Sequence, residues 1–311
     1  MSLASRPLGW ACAAALTATL AVTGCAPADE ETAESPSSDD TASSSEPASG
    51  ATDATPSSSK DSCAPEQLNL ITPSTLTIAT DRPAYEPWFV GNDPTNGKGF
   101  ESAVAYAVAK ELGFGRSDVE WVEEPFNKSF APGAKDFDFD INQISILPER
   151  EEVVDFSDGY YQVAQAVIVL GDSDFATAGS LADLKDAAIG AQIGTTSLLA
   201  AKNGIQPSSP VAVFDDTNGA KQALLNGSID AIIADLPTAF YITAVEIEGS
   251  KILGQFDATG PEPEEFGLLF EEGNPLVGCV NEAIGALEAD GTLEAIEKKW
   301  LSQDVEVPEL S

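Results

Sequence analysis

Residues 188–235 read AIGAQIGTTSLLAAKNGIQPSSPVAVFDDTNGAKQALLNGSIDAIIAD, and this stretch decides the fold class. Three short runs rich in small and branched apolar residues, 188–193, 211–214 and 231–235, read as strands. Two windows between them, 196–202 and 217–226, carry apolar residues at helical spacing. Strands that alternate with helices imply an α/β architecture with largely parallel sheets, because parallel neighbours need a crossover between them.

The same alternation extends outward in both directions. Residues 76–80, 119–122, 139–144 and 165–170 read as strands. Phe100, Val104, Val108 and Leu112 lie at helical spacing before a stop at Gly113. A helix is expected over 180–185, where Ser180 can cap. The C-terminal part is helical over 275–289 and 292–300, broken at Gly291. No internal repeat is evident.

Composition excludes several functions. The 311 residues suffice for one large domain or two ordinary ones, and 43% hydrophobic content supports a core. A net charge of −36 argues against nucleic acid, because phosphate binding needs clustered Lys and Arg. It also opposes adhesion to anionic lipid. Histidine is absent, which removes Ser-His-Asp and Cys-His catalysis and imidazole metal sites together. No cofactor or metal motif is present.

The N-terminus reads as an export signal over residues 1–24. Arg6 provides the positive start, and the apolar run 10–22 is too short to span a membrane. Val22-Thr23-Gly24-Cys25 resembles the bacterial lipobox, which implies cleavage after Gly24 and a lipid (palmitate among its chains) on Cys25. Residues 25–62 then form a lipidated tether. They are dominated by Ser, Thr, Ala, Pro, Asp and Glu and bury too little to offset chain entropy. Cys12 leaves with the signal, so Cys63 and Cys279 remain as an even pair in an oxidising compartment. Neither belongs to a CxxC motif, and a structural disulfide is expected.

Residues 141–161, INQISILPEREEVVDFSDGYY, place Arg150 beyond an apolar run that includes Asn142, Gln143 and Ser145, in a turn marked by Pro148. A planar, forked guanidinium suits bidentate capture of a carboxylate. The residues alone equally allow a surface ion pair with Glu149 or Glu151.

Seven segments, in order, resemble the extracellular solute-binding proteins, family 3, of polar amino acid ABC transporters. They are LTIATDRPAYEPW (76–88), GKGFESAVAYAVAKELGF (97–114), SILPEREEVVDFSDGYY (145–161), AAIGAQIGTTS (187–197), NGSIDAIIADLPTAFY (226–241), FGLLF (266–270) and ALEADGTLEAIEKKWL (286–301). The resemblance implies a type II periplasmic-binding-protein-like fold whose two lobes, each a mainly parallel sheet with flanking helices, hold ligand between them. Lobe 1 would comprise 63–161 and 258–311, and lobe 2 would comprise 162–257. Cys63 and Cys279 then share a lobe.

Site roles follow from the resemblance, residue by residue. Arg150 matches the arginine that grips a ligand α-carboxylate, and Asp235 matches the acid that receives the α-ammonium. Gln143 and Ser145 match small polar positions of lobe 1. Thr195 and Thr196 match the lobe 2 loop, with plain helix capping as their other reading. Tyr85 matches an aromatic that covers the ligand side chain. Phe126 is the opposing face or an ordinary core residue. Leu147 stands where the family has Thr, Asn142 where it has a smaller residue, and Pro132 and Gly133 interrupt the helix expected after Phe126.

The implied protein is a monomeric, non-enzymatic receptor on the outer face of the membrane. It reaches the membrane through its lipid alone and delivers a small polar amino acid to an ABC permease. Three alternatives stand beside it: a sensory lipoprotein, a structural cell-wall lipoprotein, and a dehydratase-like enzyme using Glu86 or Asp81. Asp81 and Glu86 suit a basic ligand, whereas Arg82 and Asn127 suit an acidic or amide one.

Overall fold

A computed structural model describes residues 63–257, 263–301 and 306–311. The export signal, Cys25 and the tether up to residue 62 lie outside the described residues.

Among the described residues, ten strands form two five-stranded sheets. The first contains β1 (Leu76–Thr80), β2 (Val119–Glu123), β3 (Phe139–Asp140), β4 (Val154–Val163) and β10 (Glu264–Glu271), in the order β2-β1-β3-β10-β4. The second contains β5 (Gln165–Leu170), β6 (Ile189–Gln192), β7 (Ala212–Phe214), β8 (Ala231–Asp235) and β9 (Ser250–Phe256), in the order β7-β6-β8-β5-β9. Both sheets are mixed rather than purely parallel. β10 runs antiparallel to β3 and β4, and β5 runs antiparallel to β8 and β9, while the remaining pairs are parallel. In each sheet four strands therefore point one way and the fourth in order is reversed.

Continuous apolar runs such as Leu76–Thr80 and Gln165–Leu170 are covered on both faces. Among the described residues, the helices that cover or join the strands are α1 (Phe100–Glu111), α2 (Phe126–Ser129), α3 (Pro148–Glu151), α4 (Thr196–Ala200), α5 (Thr217–Leu225), α6 (Leu236–Tyr241), α7 (Leu276–Ala289) and α8 (Thr292–Trp300). Helix α1 buries Phe100, Val104, Ala105 and Val108 in the first core, as its spacing requires. It starts at Gly99, whose φ is +98°. A Cβ there would stand 2.3 Å from the Trp88 carbonyl oxygen, so only glycine lets the helix begin this close to that backbone. Trp88 in turn packs edge-on against Phe100 and Phe266, at 5.9 and 5.7 Å between ring centroids.

The Cys63–Cys279 disulfide is formed, with 5.5 Å between the Cα atoms, and ties the start of the folded chain to α7.

Several local expectations change. The strand expected over 139–144 is only Phe139–Asp140, because the chain turns away at Gln143, whose φ is +49°. The helix expected over 180–185 is a single tight turn, Leu181–Leu184, capped by Ser180 and Asp183. The C-terminal residues do not all follow the first lobe. Leu310 is buried in the core of the second sheet; at its edge the Leu310 N–H donates to the Gln255 carbonyl and the Gln255 N–H donates to the Pro308 carbonyl. An unpaired edge strand readily accepts such an addition.

Candidate ligand-binding cleft

The chain turns that follow β1, β3, β6 and β8 converge on a cavity of ≈ 60 Å³. Crevices beyond the carboxyl ends of strands are the usual ligand sites of open α/β sheets, because the loops there diverge and leave backbone groups free. The first lobe contributes Asp81, Pro83, Tyr85, Phe126, Asn142 and Gln143 to the wall. The second contributes Gln192, Thr195, Thr196, Ser197, Thr217, Asp235 and Thr238, among others.

Gln143 is held from behind. Its backbone N–H donates to Glu101 Oε1 at 2.6 Å and its side-chain amide donates to Glu101 Oε2. The Tyr160 hydroxyl donates to Glu101 Oε1 at 2.5 Å. Full burial pushes the Glu101 carboxyl up to about 7 despite these donors. Beside Gln143, the Asn142 amide nitrogen and the Tyr85 hydroxyl are buried at the cavity wall without a hydrogen-bond partner. Orphaned buried donors of this kind are rare, and here they face a space that a polar solute can fill.

Thr195 caps α4: its Oγ1 accepts from the Leu198 N–H at 3.1 Å and donates to the Gln192 carbonyl at 2.8 Å. Thr196 lies 3.4 Å from the Ser145 hydroxyl of the other lobe. Trp88 Nε1 likewise crosses to Thr238 Oγ1 at 2.9 Å. The lobes are in contact around the cavity.

Arg150 and Ser145 do not line that wall. The Arg150 guanidinium is buried and donates to the carbonyls of Ser145 (2.7 Å) and Gly194 (2.9 Å). It also lies over the Phe130 and Phe126 rings, at 4.6 and 5.8 Å from their centroids. It makes no ion pair with Glu149 or Glu151, so the surface-bridge alternative is not what the structure contains. Burial lowers it to about 10, opposed by Glu264, Glu149 and Asp235, so it stays charged at neutral pH.

Asp235 ends β8, directly opposite Gln165 of β5. Gln165 Nε2 donates to Asp235 Oδ1 at 2.7 Å and to Glu264 Oε2 at 3.1 Å. Glu264 Oε1 accepts from Ser145 Oγ at 2.5 Å, and Gln165 Oε1 accepts from Ser197 Oγ at 2.6 Å. Burial first, then the neighbouring Glu264 charge, pushes Asp235 up to about 8. Burial also raises Asp81 above the usual carboxylate range.

Of the side chains weighed for ligand class, Asp81 alone reaches the cavity. Arg82 pairs with Glu123 at 3.1 Å on the surface, and Glu86 accepts the Gly91 N–H. Asn127 stands against Gly194, where an added Cβ would lie 2.0 Å from its Oδ1; the Gly194 φ of +77° also requires glycine.

The model for bacterial extracellular solute-binding proteins, family 3, matches residues 76–303. The chain belongs to this family. Among curated relatives of this family 3 protein, the L-cystine-binding protein TcyJ of Escherichia coli is 30% identical over 223 residues, covering 71% of this chain and 80% of the relative. The ABC transporter arginine-binding protein 1 of E. coli is 29% identical over 218 residues, covering 66% and 82%. A solved ancestral arginine-binding protein bound to glutamine superposes with a TM-score of 0.64 at 31% identity, covering 75% of this chain and 100% of that one. The ancestral amino acid-binding protein AncCDT-1, described as a precursor of cyclohexadienyl dehydratase, gives 0.61 at 29%, covering 74% and 96%. The family 3 protein is thus a solute-binding protein of the type II periplasmic-binding-protein fold.

Sequence reasoning passed over Gln165, Glu264 and Glu101. Gln165 leaves a trace, as a polar residue heading the apolar run AVIVL. Glu101 leaves a trace too, as an acid on the helix face that carries Val104 and Val108, whereas Glu264 leaves none among Glu262 and Glu265.

Proposed function

We propose that this protein is a lipid-anchored, monomeric extracellular receptor that closes its two lobes on a polar amino acid and delivers it to an ABC permease. Lobe 1 is residues 63–161 with the returning chain after 258, and lobe 2 is residues 162–257. The observation that carries the reading is the polar cavity between the lobes, with Asp235 in its wall and the charged Arg150 fork immediately behind it. A ligand α-ammonium ion-pairs with Asp235. Its α-carboxylate takes over the Arg150 hydrogen bond that Gly194 now receives, flanked by Ser145, Thr195 and Thr196. Tyr85 and Phe126 cover the ligand side chain. A solute that touches both lobes binds the closed form better and shifts the open–closed equilibrium toward it.

After Asp235 is paired, the wall retains a second carboxyl, Asp81, and its named residues include no Lys or Arg. That arrangement favours a side chain that donates hydrogen bonds, an amide or a cation, over a carboxylate. The curated relatives support an amino acid as the solute, and Cys25 with residues 25–62 supplies the tether.

A thermal-shift screen of the common amino acids and L-cystine, followed by calorimetry, tests the reading. Arg150→Lys keeps the charge and loses the fork, and it should cost about 2–5 kcal/mol of binding with folding intact. Unchanged affinity would reject the carboxylate role of Arg150. Turnover of any bound solute to product would favour the dehydratase-like alternative.

A further inference from the structure

We propose that Gln165 and Glu264 are positioning residues that orient Asp235 for the ligand ammonium and tie its proton to binding. The inference rests on Asp235 being the ammonium partner.

The Gln165 amide divides its two N–H donors between two carboxylates, Asp235 Oδ1 at 2.7 Å and Glu264 Oε2 at 3.1 Å. Its carbonyl oxygen is taken by the Ser197 hydroxyl at 2.6 Å, so the amide cannot flip without turning an acceptor toward both acids. Gln165 and Asp235 are register partners in one sheet, whereas Glu264 opens β10 of the other sheet. The network therefore joins the two sheets, and Ser145 anchors its far end at 2.5 Å.

Gln165 and Glu264 are buried, Asp235 is half-buried at the cavity wall, and among the described residues neither carboxylate has an ion-pair partner. A second carboxylate on the same amide makes it costlier for Asp235 to ionise in this poorly hydrated site. The other charged and titratable groups facing Asp235 are Arg150, Glu101 and the phenols of Tyr160 and Tyr161. The guanidinium already serves two carbonyls, the Glu101 carboxyl serves Gln143 and Tyr160, and both phenols are held protonated well above neutral pH. Asp235 thus retains a proton until a cation arrives. When the ammonium docks, the Asp235 carboxyl loses its proton to solvent and an ammonium–carboxylate ion pair forms. Binding releases up to one proton, and affinity rises with pH through the range in which Asp235 titrates.

The two residues act on that titration in opposite senses. Glu264 raises the Asp235 carboxyl and Gln165 lowers it. Calorimetry of the full-length protein, using whichever common amino acid or L-cystine binds it, is run between about pH 6 and 9 in buffers of different ionisation enthalpy. Glu264→Gln should move the pH midpoint of binding down and reduce proton release at neutral pH, burial alone keeping the remainder. Gln165→Met should move the midpoint up. Each should weaken binding about tenfold at the alkaline end, the worth of one lost charge-assisted hydrogen bond. A merely structural role lowers melting temperature and affinity together and leaves the midpoint in place. Unmoved midpoints in both variants, with Asp235→Asn abolishing binding, would overturn the positioning role and leave the receptor reading standing. Parent-like binding by Asp235→Asn would instead remove the ammonium assignment itself.

Discussion

Removing the Cys63–Cys279 bridge should strongly destabilise the folded body while leaving ligand affinity unchanged. The two cysteines are 216 residues apart in sequence, so the bridge closes a loop that contains nearly the whole folded chain. In the chain-entropy account, cross-linking a loop of that length removes enough unfolded-state entropy to stabilise by about 5 kcal/mol at 25 °C. For a domain of this size each kcal/mol moves the melting temperature by about 2–4 °C, so Cys63→Ser/Cys279→Ser should melt about 10–20 °C lower. The bridge borders a surface groove formed with Pro65, Leu112 and Ala283, and none of these residues belongs to the ligand cavity. Scanning calorimetry of both proteins, each with and without bound amino acid, gives the two numbers required. A fall of less than about 3 °C would refute the loop-entropy reasoning. A large loss of affinity at a temperature where both proteins are folded would refute the separation of bridge and cleft.

Three further outcomes are expected. Gly194→Ala should bind at least tenfold more weakly, because the position needs φ of +77° and its new methyl would meet Asn127 where the lobes touch; parent-like affinity would show that this loop yields freely. Stability should fall as pH rises from about 5 to 8, because burial holds Glu101 at about 7 and Asp140 at about 8, so the folded protein keeps protons that the unfolded chain releases. That contribution is complete below the unfolded carboxyl range and is lost as pH passes through 7 and 8. Glu101→Gln should flatten the slope in melting temperature, and a parent curve that rises over the window would reject the account. Arg150→Ala should lose at least as much affinity as Arg150→Lys, since it forfeits charge, fork and the stacking on Phe130 together; calorimetry that ranks the two the other way would place the contribution of Arg150 elsewhere.

Much of the architecture was legible because it depends on patterns within one segment. Strands such as Ala231–Asp235 and helices such as Phe100–Glu111 show in apolar spacing, and Cys63 with Cys279 form the even pair that the expected signal cleavage and lipidation would leave. What escaped were elements whose character depends on remote partners. Phe139–Asp140 stops short because Gln143 is pulled into a left-handed turn by Glu101, which lies far away in sequence. Leu310 joins the second sheet because an open edge at β9 and an apolar core were within its reach.

For the site, the sequence by itself determined the chemistry available: no histidine, few cations, one arginine in a Pro-Glu-Arg turn, and an acid at the end of a buried strand. Residue type and local spacing are sufficient for that much. Only the tertiary structure decided that Arg150 stands behind the cavity wall with its donors on two carbonyls, and that Asp235 shares an amide with Glu264. Burial and hydrogen-bond partners set what a charge can do, and both are contributed by chain brought together from the two sheets.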